Sequence, residues 1–317
     1  MTGLIPGNDR VISHTIDKAR EYIGNAKTKN TKRAYAADLR HFRQWCQENT
    51  LPDLPTNPET LALYLAFLAE TYCVSTIQRR LAAISQAHQA AGHASPTENI
   101  LTKNVLAGIR RAKRIVQRGK APLLTDDLRK IILALPASIA GVRDKALLLI
   151  GFAGAFRRSE LVSLDFEDVT IEKEGIVINL KRSKTDQEGQ GAKKAIPYGT
   201  NPLTCPVLAF REWMTVAGIS EGALFRGIDR HGKMAGKRLS GRAVALIVKR
   251  TAKAVGIANE RLSGHSLRAG LATQAAINGA SESSIMNQTG HKSSAMVRRY
   301  IRDSNLFRDN AAGKAGL

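Results

Sequence analysis

The chain has 317 residues, which is enough for two ordinary domains that each bury a core. Lysine and arginine number 48 against 27 aspartates and glutamates, so the formal net charge is +21. The excess is spread along the chain and favours a large polyanionic partner. Composition alone does not distinguish whether that partner is a nucleic acid, a membrane surface or an acidic protein. The sequence contains no run of about 18 apolar residues, so a bilayer span is not expected.

The N-terminus and the cysteines bear on location and on covalent cross-links. The first ten residues carry neither a basic leader nor an apolar stretch, so we expect a cytoplasmic protein. Cys46, Cys73 and Cys205 are isolated and lack C-x-x-C spacing, which argues against a disulfide framework and against a zinc site. We expect all three to be small core residues, and we expect no metal and no cofactor.

The apolar pattern in the first third of the chain is typical of helices. Residues 1–25 have few periodic apolar positions, and we expect a flexible segment there. Residues 26–112 are predicted to form an all-helical domain, because apolar side chains recur at helical spacing. The predicted helices begin near Asn30 or Thr31, near Leu61, after a cap at Ser75 or Thr76, and near Asn104.

A basic segment follows, with the sequence RRAKRIVQRGKAP from Arg110 to Pro122. It loses the helical periodicity and contains Gly119 and Pro122, which break helices. We therefore assign residues 113–122 to an interdomain linker. Two interpretations are open, a strap that lies along phosphates and a solvated loop, and the charge of the whole chain favours the strap.

Residues 123–317 are predicted to form a mostly helical second domain with a small antiparallel sheet. Thr125 is the expected N-cap of its first helix, because Asp126 and Asp127 follow where carboxylates suit the helix dipole. An apolar helix is expected over residues 144–155. The three expected strands cover residues 169–171, 176–180 and 194–197. The predicted fold class is therefore mainly α, with an α+β second domain.

Two histidines in the last sixth of the chain could carry chemistry. His265 and Arg268 are three residues apart, so on a helix they share one face. An isolated pair of this kind is more often a core histidine with a surface arginine. His291 lies on a predicted turn nine residues before Tyr300, and arginines flank that tyrosine at positions 298, 299 and 302. Such a tyrosine is unusual in a core, so a functional role is favoured over an amphipathic surface ring.

These residues belong to a set that resembles the catalytic signature of the tyrosine recombinase (phage integrase) family. The set is Arg157 in AFRRSEL, Lys184 in KRSKT, HSLR at 265–268, GHKS at 290–293 and RRYIR at 298–302. In the first domain, VSTIQRRL and YLAFLAE resemble the core-binding domain of Cre-like members, so the resemblance extends from about Asn30 onward. Arg158 stands where the family usually has an apolar residue, and the R-x-S-E-L register assigns the family position to Arg157.

The resemblance implies an enzyme that breaks and rejoins DNA strands reversibly through a covalent 3′-phosphotyrosine at Tyr300, without metal or ATP. A phosphodiester under attack carries negative charge on its non-bridging oxygens. Arg157 and Arg268 can stabilise that charge with their planar, permanently charged guanidinium groups. The phenol of Tyr300 ionises more readily than a serine hydroxyl, which suits it as the nucleophile.

The remaining roles complete the implied mechanism. His265 is the expected general base, and His291 is expected to hydrogen-bond a non-bridging oxygen. Lys184 is the expected general acid that protonates the 5′ leaving oxygen. Glu160, one helical turn from Arg157, is expected to orient an arginine or a histidine rather than to react.

The resemblance also implies that the two domains clamp a DNA duplex. We expect double-stranded DNA with inverted half-sites as the partner, and a homotetramer in the synaptic complex that is a monomer when free in solution. The short tail, with Leu306 and Phe307, would dock into a neighbouring protomer. The expected DNA contacts, to base edges or phosphates, are Lys32, Arg33, Arg40, Thr76, Gln78, Arg79, Arg111, Lys113 and Arg242.

Other functions remain open at the level of the sequence. A type IB topoisomerase or a telomere-resolving enzyme would share this chemistry and differ in what it rejoins. A non-catalytic DNA-binding regulator or architectural protein would also explain the net charge of +21. Such a protein would have no use for Tyr300 amid arginines, which favours the enzyme.

Overall fold

The computed structural model describes residues 8–113, 120–181, 191–258, 260–304 and 315. Lys184, the predicted general acid, lies outside these ranges, and so do Leu306 and Phe307 of the tail. The chain divides into two compact units, Met1–Gln117 and Arg118–Leu317, which we call unit 1 and unit 2. The division falls within the predicted basic linker.

Unit 1 is helical throughout the part that the structure describes. Its helices are α1 (Asn8–Asn25), α2 (Lys29–Glu48), α3 (Pro58–Thr71), α4 (Val74–Ala90) and α5 (Ile100–Ala112). The side-chain oxygens of Thr28, Asn57 and Asn99 accept hydrogen bonds from backbone N–H groups and so begin α2, α3 and α5.

Four helix starts in unit 1 differ from the prediction. Helices α3 and α5 begin at Pro58 and Ile100, three and four residues before the predicted Leu61 and Asn104. A helix, α1, forms where a flexible segment was expected, and its three isoleucines are solvent-exposed. The prediction relied on apolar residues that recur at helical spacing and mark a buried face, and exposed isoleucines give little of that pattern. The helix is therefore favoured by the local helix propensity of its residues. The fourth difference is α4, which begins at Val74 after Cys73 rather than after the predicted cap at Ser75 or Thr76.

The core of unit 1 lies among α2, α3, α4 and α5, and a polar network borders it. The core residues are Phe42, Trp45, Cys46, Leu61, Tyr64, Leu65, Leu68, Ile77, Leu81, Ile84 and Ile109. Buried Asp38 accepts a hydrogen bond from Arg79 Nη2 at 2.9 Å, and its Oδ1 lies 3.6 Å from Nε of buried Arg80. Arg80 also donates to the Tyr64 hydroxyl at 3.1 Å and lies 4.1 Å from the centre of the Tyr72 ring. The network fixes α4 against α2, because buried charges need partners.

Unit 2 is mostly helical, with small antiparallel sheets. Its helices are α6 (Thr125–Leu133), α7 (Ile139–Ala153), α8 (Arg158–Ser163), α9 (Pro206–Ala217), α10 (Gly241–Ala254), α11 (His265–Ile277), α12 (Glu282–Thr289) and α13 (Ser294–Ser304). Its strands are β1 (Val169–Ile171), β2 (Gly175–Leu180), β3 (Ala192–Pro197), β4 (Arg226–Ile228) and β5 (Met234–Arg238). The predicted fold class is confirmed. Within the described ranges, no helix of either unit is long and apolar enough to cross a membrane.

The larger sheet has the strand order β1-β2-β3 and contains the three predicted strands. Its register places Val169 opposite Ile178, and Ile178 opposite Lys194. In β3, Lys194 and Ile196 are buried while their neighbours are exposed, so the strand has one buried face. The β4-β5 hairpin was not predicted, because its residues are mostly polar and exposed or half-exposed, without apolar alternation.

The main core of unit 2 forms around α7, which is buried along most of its length. This helix begins at Ile139, five residues before the predicted start at 144. Thr125 is the first residue of α6, and Leu124 is at the cap position, so the predicted cap was wrong by one residue. A smaller cluster joins α11, α12 and α13. It contains Ala272, Ala276, Ile285 and Val297.

The three cysteines do not share one environment. Cys46 and Cys205 are buried, as predicted. Cys73 is exposed at the start of α4, so the expectation of a core residue was wrong there. Its position just before a helix, rather than on the apolar face of one, keeps it out of the core.

Candidate active site

Arg157 lies in a tight turn between α7 and α8. Ala155 in this turn has a φ of 48°, a left-handed conformation that costs energy for a residue with a β-carbon. Glu160 accepts hydrogen bonds from the backbone N of Arg157 at 2.9 Å and from its Nη1 at 2.6 Å. Glu160 is 3% exposed, so this charge-assisted contact is strong and orients the guanidinium. The following residue, Arg158, is exposed.

Arg268 approaches the same turn from α11. It is 1% exposed, and its Nη1 donates to the carbonyl oxygen of Ala155 at 3.0 Å. Among the described residues, no atom accepts a hydrogen bond from its buried Nη2. Burial, and after it the charge of Arg157, lowers the pKa of Arg268 to about 10, so the group is still charged at neutral pH. Two guanidiniums therefore meet in one place, and an anion would relieve their repulsion.

His265 begins α11 one turn before Arg268, and the two share a helical face as the sequence predicted. The imidazole lies at the solvent-exposed edge of the site. Partial desolvation, followed by the charges of Arg268 and Arg157, lowers the pKa of His265 below its usual value. The ring is therefore neutral at pH 7 and able to accept a proton.

His291 follows the turn that ends α12. Gly290 at this turn has a φ of 65°, which a glycine adopts without strain, and the chain reverses there. Burial first, and then Arg268 and Arg157, lower the pKa of His291 to about 4, so this ring is neutral at pH 7 as well. The ring centroids of His291 and Tyr300 lie 6.1 Å apart, with 39° between the ring planes.

Tyr300 lies on α13, half-buried against the small apolar cluster of α11, α12 and α13. Its hydroxyl is near enough to Arg268 that a phenolate charge would raise the pKa of that guanidinium. Neighbouring Arg298 pairs with Glu282 at 3.2 Å. The structure thus brings together five of the six predicted catalytic residues. They are Arg157, His265, Arg268, His291 and Tyr300.

Lys194 is a charged residue of this site that the sequence analysis missed. It extends from β3, is 5% exposed, and donates to the carbonyl oxygens of Gly154, at 2.7 Å, and of Gln288. Burial, with Arg268 as the next cause, lowers the pKa of Lys194 to about 8. The ammonium ties the turn after α7 to the end of α12. The available signal was strand alternation, which assigns Lys194 and Ile196 to the same buried face.

The predicted DNA contacts lie on α2, α4, α5 and α10 and directly after α5. Seven are exposed, and Thr76 and Lys113 are half-buried. The exposed ones are Lys32, Arg33, Arg40, Gln78, Arg79, Arg111 and Arg242. Arg79 is also paired with Asp38, which holds its guanidinium toward α2. Contact with DNA stays a prediction for all nine.

Both units match known protein families. Residues 122–306 match the phage integrase family, and residues 20–94 match the phage integrase N-terminal SAM-like domain. The chain belongs to the phage integrase family. The predicted catalytic signature thus lies within the first match, and most of the helical first unit lies within the second.

Curated relatives are named as recombinases or integrases, and a XerC relative from Herpetosiphon aurantiacus, 30% identical over 88% of this chain and 86% of its own length, is named a tyrosine recombinase. The chain is 42% identical over 301 residues to an integrase/recombinase xerD homolog of Selenomonas ruminantium, covering 94% of this chain and 88% of the relative. It is 26% identical over 316 residues to recombinase cre of Escherichia phage P1, covering 93% of this chain and 90% of the relative. The recombinase is therefore an enzyme of the tyrosine-type, site-specific class.

Solved structures support the fold. A XerH site-specific recombinase bound to a palindromic difH substrate matches with a TM-score of 0.63 and 17% identity, covering 82% of this chain and 72% of the other. A lambda integrase dimer bound to a COC′ core site also has a TM-score of 0.63, with 21% identity, covering 93% of this chain and 96% of the other. At these identities the similarity supports the fold alone. The roles of individual residues have to be inferred from the geometry of the site.

Proposed function

We propose that the recombinase cleaves and rejoins double-stranded DNA through a covalent bond between Tyr300 and a 3′ phosphate. The observation that carries this proposal is the buried Nη2 of Arg268, which has no acceptor among the described residues. A buried donor without a partner costs about 1–3 kcal/mol, and more when it is charged. A phosphate oxygen would supply both the acceptor and the negative charge, beside Tyr300 and Arg157, which interact electrostatically with this guanidinium.

The two guanidiniums are oriented before any substrate binds. Glu160 holds Arg157, and the carbonyl oxygen of Ala155 holds Arg268, so neither arginine has to reorganise as charge develops on the phosphate. Preorganised donors of this kind contribute about 3–4 kcal/mol each to the stabilisation of a transition state. The proposal contains no metal, because the guanidiniums supply the required charge.

Tyr300 must lose its proton as its oxygen attacks phosphorus. His265 and His291 are both neutral at pH 7, so each can accept that proton. We assign protonation of the 5′ leaving oxygen to Lys184 on the family resemblance. The phosphotyrosyl bond keeps the energy of the broken linkage, so a free 5′ hydroxyl of another strand can reverse the step without ATP.

A nicked suicide substrate tests the proposal, because loss of a short fragment traps the covalent adduct. Tyr300→Phe is expected to bind the DNA as wild type does and to form no adduct. Tyr22→Phe, which changes an exposed tyrosine of α1, is the control and is expected to form adducts at the wild-type rate. Adducts that persist in Tyr300→Phe would overturn the assignment.

The proposed assembly is a homotetramer on two DNA sites with inverted half-sites, formed from monomers. Proteins of similar fold include a lambda integrase tetramer bound to a Holliday junction. Unit 2 has an apolar groove of about 710 Å³, lined in part by Leu128, Phe152 and Leu271. We propose that it receives the tail of a second copy through Leu306 and Phe307, because apolar side chains are favoured in such a groove.

Changing both tail residues to aspartate tests this assembly. The variant is expected to keep covalent adduct formation on a single site and to lose strand exchange between two duplexes. Sedimentation on DNA is expected to show the loss of the tetramer. A tetramer that persists would contradict tail docking, while adduct formation at Tyr300 would still support the catalytic proposal.

The predicted DNA contacts and the cellular location are also proposals. Arg242→Ala is expected to weaken binding, and the loss would be uniform across DNA sequences if the contact is to a phosphate or confined to one base position if it reads an edge. A binding titration against single-base variants of the site separates these outcomes.

Since the proposed substrate is DNA and the named relatives come from a bacterium and a phage, we propose that the enzyme acts in the cytoplasm.

A further inference from the structure

Three successive carbonyl oxygens in the turn after α7 accept hydrogen bonds from side chains of three different elements. Gln288 Nε2 of α12 donates to Ala153 at 2.7 Å, Lys194 Nζ of β3 donates to Gly154 at 2.7 Å, and Arg268 Nη1 of α11 donates to Ala155 at 3.0 Å. Carbonyl oxygens at the end of a helix have no partner within the helix, so donors from elsewhere have to satisfy them. The turn that leads to Arg157 is therefore held by three elements.

Two of these donors, Lys194 and Gln288, also bond to each other's segments. The ammonium of Lys194 donates to the carbonyl oxygen of Gln288, and the side-chain amide of Gln288 donates to the carbonyl oxygen of Ala195 at 3.2 Å. Carbonyl oxygens only accept hydrogen bonds, so Gln288 has to present its NH2 group to both of its partners. We call the four hydrogen bonds made by these two side chains the polar bridge. It joins the turn after α7, strand β3 and the end of α12.

The polar bridge holds the chain just before two residues of the candidate active site. Gly154 is three residues before Arg157, and Gln288 is three residues before His291. Burial is the largest cause of the low pKa of His291, and the charge of Lys194 is among the further causes, so the ammonium lies within electrostatic reach of that ring. By joining Gly154 to Gln288, the polar bridge therefore fixes how the two turns that carry Arg157 and His291 lie against each other.

Lysine is a costly side chain at this position if it serves packing alone. Lys194 is 5% exposed, and burial, followed by the charge of Arg268, lowers its pKa to about 8, so the charge is disfavoured but present at pH 7. A methionine would fill much of the same space without that cost. The ammonium adds N–H groups with two separate acceptors, one on the turn and one on α12. These bonds set the spacing of two segments, which an apolar contact does less sharply.

We propose that Lys194 and Gln288 are positioning residues that hold the Arg157 turn against the end of α12, so that Arg157 and His291 reach the same phosphate. The inference rests on the proposed function, because it concerns how that site is assembled. In this role neither side chain touches the reacting atoms. Loss of the polar bridge is therefore expected to slow the cleavage step and to leave DNA affinity unchanged, since the predicted DNA contacts lie on or next to other elements.

Single-turnover cleavage of the nicked suicide substrate, with enzyme in saturating excess, separates the cleavage step from binding. Lys194→Met and Gln288→Leu are each expected to lower the rate constant about tenfold to a hundredfold, because small displacements of catalytic groups have effects of this size. Their DNA affinity in a binding titration is expected to equal that of wild type. Lys193→Met, which changes an exposed lysine on the other face of β3, is the control and is expected to cleave as wild type does. A general loss of folded protein would instead reduce the amount of DNA bound.

The double variant tests whether the two side chains act together. If both maintain the same spacing, Lys194→Met combined with Gln288→Leu is expected to cleave about as slowly as the slower single variant. Rate losses that multiply would mean that the two side chains act independently, and would overturn the polar bridge.

A substrate with sulfur in place of the 5′ bridging oxygen distinguishes positioning from acid catalysis. A thiol has a pKa of about 8.5, so a thiolate leaves without taking a proton, whereas a 5′ alkoxide needs one. Lys184→Met, which removes the assigned general acid, is expected to regain most of its rate on this substrate. Lys194→Met is expected to stay slow, because a displaced Arg157 still stabilises the phosphate poorly. Recovery of Lys194→Met would show that Lys194 is itself the acid and would overturn the positioning role.

The outcomes separate this inference from the proposed function. Wild-type protein that forms no tyrosyl adduct would refute the proposed function. Wild-type adducts, with unchanged rate constants in Lys194→Met and Gln288→Leu, would refute the polar bridge and leave the proposed function standing. If Lys194→Met loses its fold by circular dichroism, Gln288→Leu decides, because it removes the two amide hydrogen bonds and keeps the buried ammonium. An unchanged rate constant in that variant would then overturn the proposal.

Discussion

Replacing Lys194 with methionine should change how the stability of unit 2 depends on pH. Lys194 is 5% exposed, and its ammonium is held by the carbonyl oxygens of Gly154 and Gln288. Burial, with the charge of Arg268 as the next cause, lowers its pKa from 10.5 to about 8 in the folded protein. Methionine has a similar length and no charge, so the substitution removes this titration while filling much of the same space.

The sign and size of the effect follow from proton linkage. Between pH 8 and pH 10.5 the unfolded chain binds the Lys194 proton and the folded chain does not, so the free energy of unfolding rises with pH. This contribution is fully present above pH 10.5 and is lost as the pH falls through 8. The slope approaches about 1.4 kcal/mol per pH unit, which gives about 2 kcal/mol between pH 8 and pH 10.

Denaturant unfolding of the full chain at pH 8 and pH 10 measures this difference. The chain has two tryptophans, Trp45 in unit 1 and Trp213 in unit 2, so a Trp45→Phe background lets fluorescence report unit 2. Wild type is expected to gain about 2 kcal/mol relative to Lys194→Met over this interval. The control is Lys193→Met, which removes an exposed lysine from the other face of β3 and is expected to follow wild type. Parallel pH dependences for wild type and Lys194→Met would refute the claim that burial lowers the pKa of Lys194.

Two further substitutions test the packing that supports each unit. Asp38→Ala leaves the buried guanidinium of Arg80 without its carboxylate and is expected to destabilise unit 1 by about 3 kcal/mol, seen in Trp45 fluorescence. The control Asp53→Ala breaks a half-exposed ion pair and should cost under about 1 kcal/mol, so equal losses would contradict this account. Gly270→Ala would place a β-carbon 1.9 Å from the carbonyl oxygen of Leu123 and is expected to lower the melting temperature of unit 2. An unchanged melting temperature would mean that this contact is looser than the structure shows.

The missed helix start and the missed hairpin have a common cause. Apolar periodicity reports burial, so it locates α7 and the strands β1 to β3, whose side chains enter a core. It is weak for α1 and for the β4-β5 hairpin, whose residues are mostly exposed or half-exposed. Leu124 and Cys73, at the observed cap positions of α6 and α4, make no side-chain cap hydrogen bond. A search for capping side chains therefore misplaced these starts, at Thr125 and Ser75, by one or two residues.

The sequence by itself determined the mainly helical class, the antiparallel sheet of unit 2 and the linear order of the predicted catalytic set, because periodicity and short motifs are properties of neighbouring residues. It also predicted that Glu160 orients an arginine or a histidine, and the structure pairs Glu160 with Arg157, one helical turn away. Only the tertiary structure decided that Arg268 reaches the carbonyl oxygen of Ala155, 113 residues away in the chain. It likewise decided that Lys194 is buried against the carbonyl oxygen of Gln288 and that the Thr289 hydroxyl lies 2.7 Å from Nδ1 of His291. These outcomes depend on desolvation and on distances between segments that lie far apart in the chain. Neither quantity can be read from the few residues on either side of a position.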